Sequence, residues 1–158
     1  MLDQSVKGLI EAQKNIEQAA ADLHGQPFVD AMKQAALLVE GDAKRLAPVD
    51  TGHLRASITS EVRVGGSQGK DVIGVIGSNV KYAPYMELGT KPHFPPPAAL
   101  AVWARRHGLN AFVVARSIAA KGLKARRFLQ GSFEKNQAKV EQILDAGVHK
   151  ITKKANNE

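Results

Sequence analysis

Near residue 50 the hydrophobic period of this chain changes from helical to two, and a chain that switches period within so short a stretch has to pack a helix against a sheet. Before the switch, Phe28, Met32, Ala35, Ala36, Val39 and Ala43 recur at three- and four-residue steps, which puts them on one side of a helix. That helix closes at Leu46-Ala47, because Pro48 disfavours helical geometry at the residue before it. Beyond Leu54, Ile58, Ser60, Val62 and Val64 alternate with Thr59, Glu61 and Arg63, and Val72, Gly74 and Ile76 alternate with Ile73, Val75 and Gly77. Gly65-Gly66-Ser67-Gln68-Gly69-Lys70 lies between the two runs, so they predict a β-hairpin with a flexible tip.

The flanks are helical. Leu2, Val6, Leu9, Ile10, Ile16, Ala19, Ala20 and Leu23 form an amphipathic stripe that His24-Gly25-Gln26-Pro27 interrupts. After the proline-rich run Pro92 to Pro97, a helix from about Ala98 to His107 is expected to bury Leu100, Val102 and Trp103. Gly108-Leu109-Asn110 breaks it, and Ala111 to Lys121 forms a second short helix that Gly122 stops. A last helix from Ser132 to Lys150 takes Ser132 as its N-cap and carries Phe133, Val140, Ile143, Leu144 and Val148 on one face. The expected fold class is α+β: long helices packed on a small antiparallel sheet containing the β-hairpin, with a helical insertion before the C-terminal helix. Residues 1–158 are expected to form a single domain, divided into an N-terminal helix (1–24), a helix, turn and hairpin core (28–90), the insertion (92–130), the closing helix (132–150) and a frayed tail (151–158).

Composition narrows the chemistry. With 44% apolar and 23% charged residues the chain has the balance of a folded globular protein. The absence of cysteine removes disulfides, thiolate nucleophiles and sulfur-ligated metal sites, and fits a reducing compartment. No apolar run approaches the length of a membrane span and residues 1–7 lack the pattern of a secretory signal, so synthesis in the cytoplasm and no membrane partner are expected. His24, His53, His93, His107 and His149 show no metal-ligand spacing, and no cofactor is expected. The net charge of +7 allows attraction to a polyanion.

Two segments carry more than a period. In Ala47-Pro48-Val49-Asp50-Thr51-Gly52-His53-Leu54-Arg55-Ala56-Ser57-Ile58, Pro48 stops the helix, Asp50 and Thr51 can bond neighbouring amides, and Gly52 permits a positive φ, so a tight structural turn hands helix to strand. A hydrolase reading of Asp50, His53 and Glu87 lacks a nucleophile or metal beside them. In Gly77 to Thr90, Tyr82, Tyr85, Glu87 and Gly89 suggest one turn of helix at a core edge or subunit interface. The glycine-rich tip is no phosphate cradle, because no helix with a Lys-Ser/Thr pair follows it. Arg105, Arg106, Arg116, Lys121, Lys124, Arg126 and Arg127 make a candidate basic surface, open to solvent or to phosphates, without a recognition helix or zinc module.

Taken in register, Ala47 to Ile58, a hairpin, and Gly77-Ser78-Asn79-Val80-Lys81-Tyr82-Ala83-Pro84-Tyr85-Met86-Glu87-Leu88-Gly89-Thr90 resemble the neck or tail-completion proteins of long-tailed phages, relatives of lambda's minor tail protein Z. Ala98 to Arg106, Ala111 to Lys121 and Lys124-Ala-Arg-Arg-Phe-Leu129 resemble the helical insertion many members carry before a closing Pro-Phe-Leu; Arg127 stands where that proline is common. The resemblance covers roughly residues 28–150. It implies a non-enzymatic virion subunit that assembles with itself into a ring, a hexamer matching the tail's symmetry, around the channel through which double-stranded DNA leaves the capsid. Its partners would be the head-completion or connector proteins and the tail tube or tail terminator proteins. Pro48, Asp50, Thr51, Gly52, Tyr82, Tyr85, Glu87 and Gly89 would then be structural or interfacial. The alternative is a basic, non-specific nucleic-acid-binding protein acting outside a ring.

Overall fold

The computed structural model describes the backbone of residues 2–65 and 71–155 and the side chains of 11–65 and 71–154. Helices α1 (Leu2–His24) and α2 (Gln26–Leu46) meet at Gly25, and Pro27 sits in the first turn of α2, where its missing N–H leaves no carbonyl unsatisfied. Ala47 is extended (φ −60°, ψ 133°), the geometry its proline neighbour demands. Gly52 then turns the chain at φ 80°, and a five-residue helix α3 (His53–Ser57), which the period-two pattern does not reveal, leads into the sheet.

Strands β1 (Ile58–Gly65) and β2 (Asp71–Ser78) pair antiparallel from Ile58↔Ser78 to Gly65↔Asp71, and the glycine-rich tip at 66–70 lies outside the described residues. Alternation puts Ile58, Ser60, Val62, Gly74 and Ile76 on the side facing α2. At Gly74 a Cβ would come within 3.2 Å of Met32 Sδ, so the missing side chain lets α2 settle onto the sheet. A small helix α4 (Ala83–Leu88) follows, then α5 (Pro97–Arg106) and α6 (Ala111–Lys121), and finally α7 (Phe128–Ala155).

Helix α2 is the central element, with the hairpin on one side and α7 on the other; α1 packs mainly on α7. Its buried residues are mostly alanines, including Ala35, Ala36 and Ala43, so its neighbours approach closely. A Cβ on Gly147 of α7 would lie 2.7 Å from Ala31 Cβ, which marks the closest crossing of the two helices. Deeper in, Asn136 Nδ2 donates to Asp42 Oδ2 at 2.6 Å and to Ser132 O at 2.8 Å, while Arg45 and Lys135 reach the same carboxylate from the rim. The amide of Asn136 holds Asp42 below the usual carboxylate range; burial opposes that shift, and Lys135 and Arg45 add to it. The core at the other end joins Ala43, Ala47, Leu54, Ile58, Ala83 and Phe128.

Three expectations are corrected. The last helix begins at Phe128 rather than Ser132 and runs to Ala155, through part of the tail expected to fray. Ser132 is not its cap: it is buried inside the helix and donates to Leu129 O at 2.7 Å. In α5 the buried residue is Ala104, whereas Val102 and Trp103 are 58% and 37% exposed, because α5 packs chiefly on α6 and nothing described covers its other side.

Candidate functional site

The segment after β2 is built as a clasp. Glu87 Oε2 and Oε1 accept from the backbone N–H groups of Leu129 and Gln130, both at 2.9 Å. These are free donors of the first turn of α7, so a carboxylate from α4 does for α7 what an N-cap side chain would, and it sits at the positive end of the helix dipole. Backbone bonds reinforce it: Arg126 N donates to Met86 O at 2.9 Å and Arg127 N to Glu87 O at 3.1 Å. Arg127 has φ 47°, in the left-handed region. Proline could neither adopt that angle nor donate that hydrogen bond, so arginine in its place changes the local backbone.

A second closure lies alongside. Thr90 N donates to Leu123 O and Leu123 N donates to Thr90 Oγ1, each at 3.0 Å. Here Gly89 (φ 73°) and Gly122 (φ 71°) let two backbones touch, since a Cβ would stand 2.4 Å from Leu123 O on the first and 2.0 Å from Thr90 O on the second. The clasp therefore pins both ends of the residue 90–122 excursion. Tyr82 and Tyr85, by contrast, are 44% and 57% exposed and line an open groove of about 520 Å³ with Met86, Thr90, Pro92 and Leu123.

The turn after α2 also reaches across the chain. Asp50 does not spend its carboxylate on neighbouring amides; it accepts from Arg106 at 2.8 Å and lies 3.2 Å from His107 Nε2, tying the C-terminal end of α5 to the body. His107 in turn stacks on Trp103 with 4.5 Å between ring centroids. Thr51 Oγ1 accepts only a long bond, 3.5 Å, from His53 N. The histidine beside Asp50 is thus His107, not His53. Among the described residues no cluster of histidines and carboxylates could hold a metal, and no buried side-chain polar atom lacks a partner.

The basic residues are not spread evenly. Arg105, Arg106, Arg116, Lys121, Lys124, Arg126 and Arg127 all fall between Leu88 and Phe133, a stretch with eight Lys and Arg and no Asp or Glu, so it carries +8 and the rest of the chain carries −1, together the net +7. All seven side chains are exposed. Arg106 is engaged by Asp50; the other six enter no ion pair among the described residues.

The family described as "Bacteriophage HK97-gp10, putative tail-component" matches residues 10–89, just over half of the chain. The chain belongs to this family. No curated protein and no solved structure matches it. The HK97 gp10-like match runs from within α1 through α2, the hairpin and α4, and stops at Gly89, the glycine of the clasp. It identifies a phage tail component and hence a virion protein; it does not extend to a relation with lambda's protein Z. For an HK97 gp10-like chain a structural role is the fitting one, and no described helix is long and apolar enough to cross a membrane.

Sequence reasoning missed the work of Glu87, because its partners lie 42 and 43 residues further on. It also missed the Asp42–Asn136 contact, which joins residues 94 apart. A lone buried-period aspartate on α2 was the available signal for the latter. For Glu87 the sequence carried none beyond an acidic residue in a structured segment.

Proposed function

We propose that this tail component is a neck or tail-completion subunit that assembles as a ring, with six copies expected, at the head–tail junction around the DNA channel. The chain would fold as a single domain and meet head-completion or connector proteins on one side and tail tube or terminator proteins on the other. One observation carries the reading beyond family membership. Among the described residues Leu88, Phe94, Val102, Phe112, Val113 and Phe133 are each more than half exposed, although large apolar side chains are those a folded chain most readily buries. Exposed apolar side chains in that number are what a protein–protein contact removes from solvent. A subunit of this kind is finished by its neighbours, and Tyr82 and Tyr85 are proposed to lie at such contacts.

The test is a deletion of the gene in the phage that carries it. Heads should still fill with DNA and tail tubes should still form, but the two should fail to join stably, and added purified protein should restore infectivity at least in part. Joined, infectious virions without the protein would overturn the proposal, and empty heads would move its role to packaging.

A second reading has a specific observation in its favour: the acid-free basic stretch from Leu88 to Phe133. A non-specific DNA-binding protein would hold short duplexes as a monomer, with affinity falling steeply as salt rises through counterion release. In the ring reading the same charge faces partners as well as DNA.

A further inference from the structure

Helices α5 and α6 form an arm whose exposed side is both apolar and basic. Ala104, Ala115 and Ile118 are buried, mostly between the two helices, while Phe112 and Val113 are 57% and 63% exposed and Phe94 packs edge-on against Phe112 at 6.0 Å. Arg116 lies three and four residues beyond them on the same side of α6, and Arg105 is exposed on α5. A phosphate backbone would use the arginines and leave the aromatic and aliphatic side chains wet. A protein surface with apolar contacts and carboxylates satisfies both.

Such a surface lies on this same chain. On α7, Glu134, Ala138, Glu141 and Asp145 recur at three- and four-residue steps and are exposed, giving one stripe about 16 Å long. Glu134 and Glu141 are hydrogen-bonded by the neutral Gln130 and Gln137, and among the described residues no cation pairs with any of the three carboxylates. The basic residues nearest in sequence are turned elsewhere: Lys135 reaches Asp42 and Lys139 lines the groove between α2 and α7. Exposed Phe133 stands at one end of the stripe. The arm and the stripe thus have opposite charge, comparable length and apolar residues to bury.

We propose that the α5–α6 arm of one copy docks on the acidic stripe of α7 of the next, a head-to-tail contact of the kind that closes a ring; this rests on the ring reading above and names its interface. Because the chain has no cysteine, each introduced thiol is unique. Val113→Cys and Ala138→Cys proteins, purified separately, mixed at high concentration and oxidised, should give a cross-linked heterodimer in at least tenfold greater yield than Val113→Cys with Gln18→Cys on α1. Adding Arg105→Glu and Arg116→Glu to the first protein should abolish that excess, and Glu134→Lys with Glu141→Lys in the second should restore it. Equal yields at Ala138 and Gln18 would overturn the proposal, as would loss of duplex binding in the Arg105→Glu, Arg116→Glu variant with the cross-link unchanged. Rings seen by electron microscopy without the cross-link would sink this interface and leave the ring standing. The cross-link without rings would do the reverse.

Discussion

The body of this protein buries its key residues against one another, with Ala43, Leu54, Ile58 and Phe128 at 4% exposure or less, while the arm beyond Gly89 leaves Phe112 and Val113 more than half exposed. Both regions are helical and apolar in sequence. What differs is the source of the partner surface. Helix α2 finds a sheet on one side and α7 on the other, so its apolar period is satisfied within the chain. Among the described residues the arm packs chiefly on its own second helix, held by two hydrogen bonds between Thr90 and Leu123, one of them to the Thr90 hydroxyl, and by the Asp50 anchor. The family match ends at Gly89, where the arm begins, and does not reach α7. An apolar period therefore says that a face will be buried, and only the tertiary context says by what.

Substitutions at the clasp should break this division most severely. Gly122→Val would meet backbone at both the φ of 71° and the 2.0 Å approach to Thr90 O, and is expected to cost more than about 3 kcal/mol in urea denaturation. Gly108→Val, also at positive φ (66°) but with open space around it, should cost only about 1–2 kcal/mol of backbone strain. Equal costs would show that the close crossing at Gly89 and Gly122 is not what holds the arm to the body.

Removing the cap should come next. Glu87→Ala leaves the Leu129 and Gln130 N–H groups without their acceptor and should lower stability by about 1–2 kcal/mol, with Glu87→Gln milder because one amide oxygen remains. The loss should appear as earlier hydrogen exchange in the first turn of α7. An unchanged first turn would mean that α7 starts without help from α4.

The body should also carry a pH dependence. The folded pKa of Asp42 is lowered, so its contribution is fully present above the unfolded value of about 4 and is lost as pH falls through the lower folded value. The urea midpoint should therefore drop on acidification below about pH 4, and Asp42→Asn should flatten that limb. The sign would be contradicted by a midpoint that rises as acid is added.

How far the sequence could be read follows the same line. The helix, turn and hairpin were legible because proline before the turn, glycine within it and the change of period are all local signals. The start of α7 was not, because its cap comes from Glu87 in α4, leaving Ser132 as the nearest conventional cap although it lies within the helix. Val102 and Trp103 carried an apolar pattern with no sign of whether this chain or another covers it. Asp50 read as a turn residue, and it serves the turn by holding Arg106, 56 positions away, which no spacing could announce.

The smallest expected effect on the free chain bears on the arm alone. Val113→Ser should change its stability by no more than about 0.5 kcal/mol, since the side chain is already exposed, yet it should lower assembly into particles. Thermal denaturation with an incorporation assay separates the two, and a large stability loss would mean that the arm is already packed in the free chain.

Whether the body is self-sufficient and the arm awaits a partner is tested most directly by amide hydrogen exchange on the free protein and on the protein in assembled particles. The exposed faces of α5 and α6 should gain protection on assembly, while α2 and the first half of α7 should start well protected, with α2 little changed. Arm protection in the free protein equal to that of α2, with no gain on assembly, would contradict the account.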